Sequence, residues 1–315
     1  MFTERTTLLV GNGPNRLSES AVSWKDVIGR LSNQVRPKIN MTGKPLTLIF
    51  EEIALKSQRR DQSYVGTMKK QLATEMQDLV PNSVHRRIMG LKPANILTTN
   101  YDYSLERAYN KDLVRQDRPV PIVNELKFSL FRARKVGSTV VWHIHGEIDN
   151  PRSIMLGFDH YVSYLSRLET YMRYPGLDGN ISPFLRKIKH FEKSNHPFSW
   201  VDVFLRDNVH ILGLALSFEE IHLWWLLTLK ERFRQNCIAQ KRQISVGRTV
   251  FYDLQKIGDM SNYSARQSLL EALGVEVVPV LFEEDWEYIK AYHSAIKLIC
   301  IDSRRRPTKS DTVAD

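Results

Sequence analysis

Cysteine is nearly missing from this chain of 315 residues: Cys237 and Cys300 are its only two. Two isolated thiols cannot build a disulfide framework, and neither stands in a CxxC pair that could open a zinc site. A reducing, cytoplasmic setting is therefore expected. A long apolar run is missing from the start as well. MFTERTTLLVGNG mixes acidic and polar residues with one short apolar stretch, so neither a signal-peptide core nor a membrane span is expected there. No membrane partner is expected, and the short run reads as a first strand. Internal repeats and low-complexity segments are also absent.

Charge of both signs is present, with 45 Lys and Arg against 35 Asp and Glu and a formal net charge of +10. Such an excess can attract a polyanion, but it sets association without specifying it. The basic stretch KSQRR at 56–60 reads as solvated surface. SRRRPTKSDTVAD at 303–315 is polar, lacks periodic apolar residues and is expected to be a disordered tail. Nucleic acid is not an expected partner.

With 42% hydrophobic residues, the chain can bury one large core, and residues 1–302 are expected to form a single domain. Short β-branched runs end in turn-forming or polar residues, as buried parallel strands feeding ligand loops do. They are TTLLVG before Asn12, NILTTN to Asn100, STVVWHIHG to Gly146, NVHILGLAL to near Ser217, GRTVFYDL to Leu254 and VEVVPVLF to Phe282. Between them lie helical spacings in SLERAY, EEIHLWWLLTLKERF and SARQSLLEAL. This alternation predicts a doubly wound α/β fold: a Rossmann-like parallel sheet of about six strands with helices on both faces. Residues 25–90 and 158–205 exceed a normal crossover and are expected to be helical insertions beside the pocket.

Ligands of such sheets bind at the carboxyl ends of the strands, where strand order reverses. The residues there are Gly11-Asn12-Gly13, Thr99-Asn100-Tyr101-Asp102, His145-Gly146 and Ser217. GNG removes side chains where backbone must approach a pyrophosphate. The third glycine of the usual dinucleotide fingerprint is missing, so a plain strand-to-helix turn remains open. TTNYD offers donors and acceptors suited to ribose hydroxyls and a carboxamide. Asp102 or Ser104 could equally cap the SLERAY helix, whereas Asn100 has no evident structural task. In HIHG, His143 and His145 share one side of a strand. A metal there would want further ligands nearby, and only scattered candidates such as His160 exist, so no metal is expected. His145 suits a general base, because an unperturbed imidazole is mostly neutral at cytoplasmic pH. His143 is expected to be a satisfied core histidine.

Taken in order, LLVGNGPN with SW at 23–24, ILTTNYDYSLERA at 96–108, WHIHGEID at 142–149, ILGLALSFEEIHLWWLL at 211–227 and VEVVPV at 275–280 resemble the sirtuin-like family. They look most like its bacterial NAD hydrolases of antiphage defence. The family more often shows GAGxS at the first turn, where this chain has Asn12, Pro14 and Asn15. The resemblance implies that Gly11, Asn12 and Gly13 face the NAD phosphates, with Asn15 in the same cofactor-binding loop. It places Thr99, Asn100 and Asp102 around the nicotinamide-side ribose, His145 at the attacked ribose, and Gly213 and Ser217 against the adenosine half.

The implied activity is NAD hydrolysis to nicotinamide and ADP-ribose, with NAD as substrate and Asn100 and His145 as the catalytic pair. An NADase needs a gate, so an activating or inhibiting protein partner, a nucleotide signal or oligomerisation is expected. Two rivals stand beside it. A protein deacylase would share the NAD chemistry, but the four-cysteine zinc module of deacylating sirtuins is missing. A non-catalytic subunit that senses NAD or ADP-ribose would not require both Asn100 and His145.

Overall fold

The computed structural model describes residues 6–19, 21, 24–33, 35–58, 63–110, 128–173, 199–239, 246–258 and 263–303. The expected basic tail lies outside these residues except for Ser303. Seven strands form one sheet: β1 (Thr6–Val10), β2 (Asn95–Thr98), β3 (Ala133–Val136), β4 (Thr139–His143), β5 (Asn208–Leu212), β6 (Thr249–Lys256) and β7 (Val275–Phe282). Their order is β3-β4-β2-β1-β5-β6-β7, parallel throughout except for β3. The α/β Rossmann-like fold expected from the sequence is therefore present.

The strand beyond the expected six is β3, ARKV, an edge strand antiparallel to β4 and joined to it through Gly137. Its two cations hide it from any search for buried apolar runs. The other edge, β7, carries Pro279, which pairs in register with Asp253 of β6. Proline is tolerated there because an edge strand needs a ladder on one side only.

Side chains alternate across the sheet with the two-residue period of a strand. Leu9, Leu97, Trp142, Ile211 and Phe251 pack on one face with Tyr164, Trp200, Phe204 and Leu226. These come from α6 (Phe158–Arg173), α7 (Trp200–Arg206) and α8 (Ile221–Ala239). Leu8, Val10, Ile96, Val141, Leu212 and Val250 pack on the other with Ile88, Leu105, Tyr292 and Ile296. Those helices are α4 (Ser83–Gly90), α5 (Ser104–Tyr109) and α10 (Tyr288–Asp302). Between β6 and β7 the chain forms α9 (Tyr263–Ala272), whose buried Leu270 joins the first face.

Both long stretches are helical where described, but they divide differently from the expectation. Only α1 (Trp24–Asn33), α2 (Leu46–Gln58) and α3 (Tyr64–Glu75) form a separate cluster, in which Ile28, Ile49, Phe50, Ile53 and Leu72 pack with Tyr103, Ile148, Ile154 and Leu156. Helices α4, α6 and α7 cover the sheet itself, because their apolar residues meet strand residues. Residues 174–198 of the second stretch lie outside the described residues.

Strands β2 and β5 flank β1 on opposite sides, and the chain builds the sheet outward from β1 in both directions. The strand order thus reverses at β1/β5, where a doubly wound sheet leaves a crevice beyond its carboxyl ends.

Candidate active site

A cavity of about 660 Å³ occupies that crevice, within the range of roughly 300–1,000 Å³ usual for small-molecule sites. The loops leaving β1 and β5 are laced together at its floor, where Gly11 N–H donates to the Leu212 carbonyl at 3.0 Å and Gly13 N–H to the Gly213 carbonyl at 2.8 Å. This approach needs glycine. A Cβ on Gly13 would stand 1.9 Å from the Tyr292 hydroxyl, and Gly213 adopts φ +66° with Pro14 where its Cβ would be. GNG is therefore demanded by backbone packing as well as by any ligand.

Asn12, Gly13, Thr99, Asn100, Asp102, His145, Gly213 and Ser217 line the cavity together, although their loops follow four different strands. Gly11 does not line it, being packed against Gly213 and Leu214. Asn15 does not line it either: it is buried, donates from Nδ2 to Asp102 Oδ2 at 2.6 Å and meets His85 Nε2 through Oδ1 at 2.8 Å. His85 Nδ1 accepts the Asn82 amide, so the proton is on Nε2 and donates to Asn15. Burial first, against the nearby Asp102 charge, pushes the His85 pKa down to about 4 and keeps the ring neutral. Asp102 Oδ1 takes the Ser104 amide at the head of α5. Asp102 is thereby held from two sides while facing the cavity.

Asn100 donates from Nδ2 to the Gly11 carbonyl at 3.1 Å, which fixes the amide orientation and leaves Oδ1 as an acceptor. Its own carbonyl accepts from His143 Nδ1 at 2.9 Å, and His143 Nε2 meets Glu106 Oε1 at 2.7 Å. Burial opposes a charge on His143, but the Glu106 carboxylate outweighs it and raises the pKa. His143 is thus a satisfied core histidine that anchors the backbone of Asn100. Behind it, Arg134 of β3 ties Glu147 and Asp149 to the Tyr103 hydroxyl, holding the loop that follows His145.

His145 is buried at the cavity wall, with the Tyr161 ring edge-on at 5.6 Å. Its Nε2 lies 2.9 Å from His222 Nε2 and 3.5 Å from Glu220 Oε2. Burial lowers the His145 pKa to about 3, so the ring is more firmly neutral than an unperturbed imidazole. His222 is lowered by burial and then by His145, and Glu220 is raised to about 8 by burial and then by the charge of Glu219. Sequence reasoning left out Glu220 and His222, although EEIH begins directly after the GLALSF run. It also left out Asp253 within β6, whose two carboxylate oxygens accept from Arg266 Nη2 at 2.9 and 2.8 Å at the cavity wall. Arg16 and Lys25 line the cavity too, giving it cations for an anionic ligand.

Residues 94–207 match the family described as SIR2-like domain. The matched stretch holds Asn100, Asp102 and His145, while Gly13, Gly213 and Ser217 lie outside it. The match supports a sirtuin-like family and, broadly, NAD-related chemistry for this chain. No curated protein matches it. Among the described residues, no helix is long and apolar enough to cross a membrane.

Proposed function

We propose that this chain is an NAD hydrolase that cleaves NAD to nicotinamide and ADP-ribose. The observation that carries the reading is the convergence of Asn100 and His145, from separate strand ends, on one cavity at the switch point of the sheet. The Arg16 and Lys25 cations suit the pyrophosphate, and Thr99 and Asp102 suit the ribose. Packing against Gly213 and Leu214 leaves Gly11, and hydrogen bonds to Asp102 and His85 leave Asn15, to shape the Gly13 loop rather than to touch the dinucleotide.

In the reaction, the C1′–N bond to nicotinamide breaks and its electron pair neutralises the pyridinium. Oxygen of a water bonded to Asn100 Oδ1 then attacks C1′. His145 accepts the proton that this water loses and passes it to solvent. Acid–base help of this kind is worth about 10²–10⁴ in rate.

An enzyme of this class would exhaust its own cell, so the reading includes a gate: a partner protein, a nucleotide signal or self-assembly. We assign the activity to a cytoplasmic effector that depletes NAD during antiphage defence, with residues 1–302 as one domain. The test incubates purified chain with NAD, alone and with lysate of phage-infected cells, and follows both products by chromatography. Nicotinamide release that Asn100→Ala abolishes supports hydrolysis, and a requirement for lysate supports the gate. NAD binding without release in either condition would turn the assignment to a sensing subunit.

A further inference from the structure

We propose that His145, Glu220 and His222 form a site for one divalent transition-metal ion of the zinc class, and that this ion silences His145 as a base. The sequence offered no metal site because the three residues stand 75 or more positions apart, apart from the Glu220–His222 pair itself. The fold brings their ligand atoms within 4.8 Å of one another.

Three observations carry the site. The ligand set of two neutral imidazoles and one carboxylate suits zinc, copper or nickel far better than magnesium or calcium. Two of the separations fit: His145 Nε2 stands 2.9 Å from His222 Nε2 and 3.5 Å from Glu220 Oε2, around the edge of about 3.3 Å of a tetrahedron with zinc–ligand bonds near 2.0–2.1 Å, while the His222–Glu220 side is wider, within the 4.8 Å that spans the cluster. Finally, Glu220 Oε2 and His222 Nδ1 are buried without a hydrogen-bond partner among the described residues, a costly arrangement in a folded protein. A cation between the rings gives Glu220 its partner. It leaves His222 Nδ1 3.9 Å from Glu220 Oε2, beyond hydrogen-bond reach. Tyr161 and Tyr164 wall the pair with rings 5.5 Å from His222. His145 and Glu220 line the cavity, so the fourth coordination position opens toward the substrate space.

The consequence for turnover rests on the NAD-hydrolase reading. An imidazole that gives one ring nitrogen to a cation carries its proton on the other, and has no lone pair left to accept a second. Metal-bound and base-competent His145 therefore exclude each other, and metal release becomes a gate inside the active site.

The test is equilibrium dialysis of the full chain against Zn²⁺, with elemental analysis and thermal melting of wild type, His222→Phe and Glu220→Gln. Circular dichroism checks that each variant is folded. The expected result is about one zinc per wild-type chain with a raised Tm, at least a tenfold weaker zinc affinity in both variants, and X-ray absorption of the loaded wild type showing imidazole and oxygen ligands without sulfur. Zinc bound equally by the folded variants, a sulfur ligand, or no stoichiometric zinc would overturn the site. Added zinc should also slow nicotinamide release by wild type at least tenfold, reversed by a chelator. Zinc that binds at this site without slowing release would overturn the gate. Absence of NAD hydrolysis under metal-free conditions, both alone and with lysate of phage-infected cells, would count against the hydrolase reading and leave the zinc stoichiometry as it stands.

Discussion

The two ends of the sheet bury polar groups in opposite ways. At the amino ends of the strands, Asp207 accepts from Thr7 Oγ1 at 2.6 Å, Arg206 Nε at 2.8 Å and Asn95 Nδ2 at 3.4 Å. Lys230 beside it donates to the carbonyls of Phe204 and Asp207 at 2.9 and 3.0 Å. At the carboxyl ends, Ser104 Oγ, Glu106 Oε2, Glu220 Oε2 and His222 Nδ1 are buried without hydrogen-bond partners among the described residues. All four sit on segments that follow β2 or β5. Groups left unsatisfied cost stability, and one of them, Glu220, lines the cavity, which marks that end as suited to a ligand and the other to holding the fold.

The same isosteric change at both ends should separate the two roles most sharply. Asp207→Asn removes a buried charge that several donors share and should cost about 3–5 kcal/mol in urea denaturation. Glu220→Gln replaces a carboxyl whose charge burial disfavours, and should stay within about 1 kcal/mol of wild type. Equal losses at the two positions would erase the contrast.

Gly13→Ala comes next. Its methyl meets the Tyr292 hydroxyl at the cavity floor and should cost about 1–3 kcal/mol, together with NAD affinity measured by calorimetry. Adding Tyr292→Phe should return part of both. Recovery of stability without recovery of affinity would give Gly13 a ligand contact in addition to its packing role.

The smallest effect expected is a pH dependence at His85. Its pKa lies near 4 in the folded chain, against an ordinary value of 6.5. Between those values the unfolded chain holds a proton that the folded one does not, so stability falls as pH drops from about 6.5 to 4. His85→Gln should flatten that fall by on the order of 1 kcal/mol, with His210, whose pKa burial also lowers to about 4, retaining its own share. An unchanged slope would separate the His85–Asn15–Asp102 chain from acid stability.

What the sequence made legible follows from how local each signal is. Strands such as TTLLV and NVHIL were readable because central parallel strands are apolar on both faces, and the polar residues at their ends stood out against them. β3 was not, since Arg134 and Lys135 interrupt its apolar pattern and its partner lies across a hairpin. Asn15 looked like a ligand because it stands in the glycine loop, yet both ends of its amide are spent on His85 and Asp102. His222 was hidden differently: it stands at the start of a helix far along the chain, and only the folding of the segments after β4 and β5 over the same end of the sheet brings it to His145. The unperturbed titration assumed for His145 also failed to carry over, because burial, invisible in one sequence, sets its protonation.

The central claim is that Asn100 and His145 hydrolyse NAD in the cavity at the β1/β5 switch point. The most direct measurement is nicotinamide release from NAD by wild type and by folded His145→Ala, under the condition in which wild type is active. The account predicts a loss of at least about 10²-fold in the variant with NAD binding retained, and release at the wild-type rate by the folded variant would contradict it.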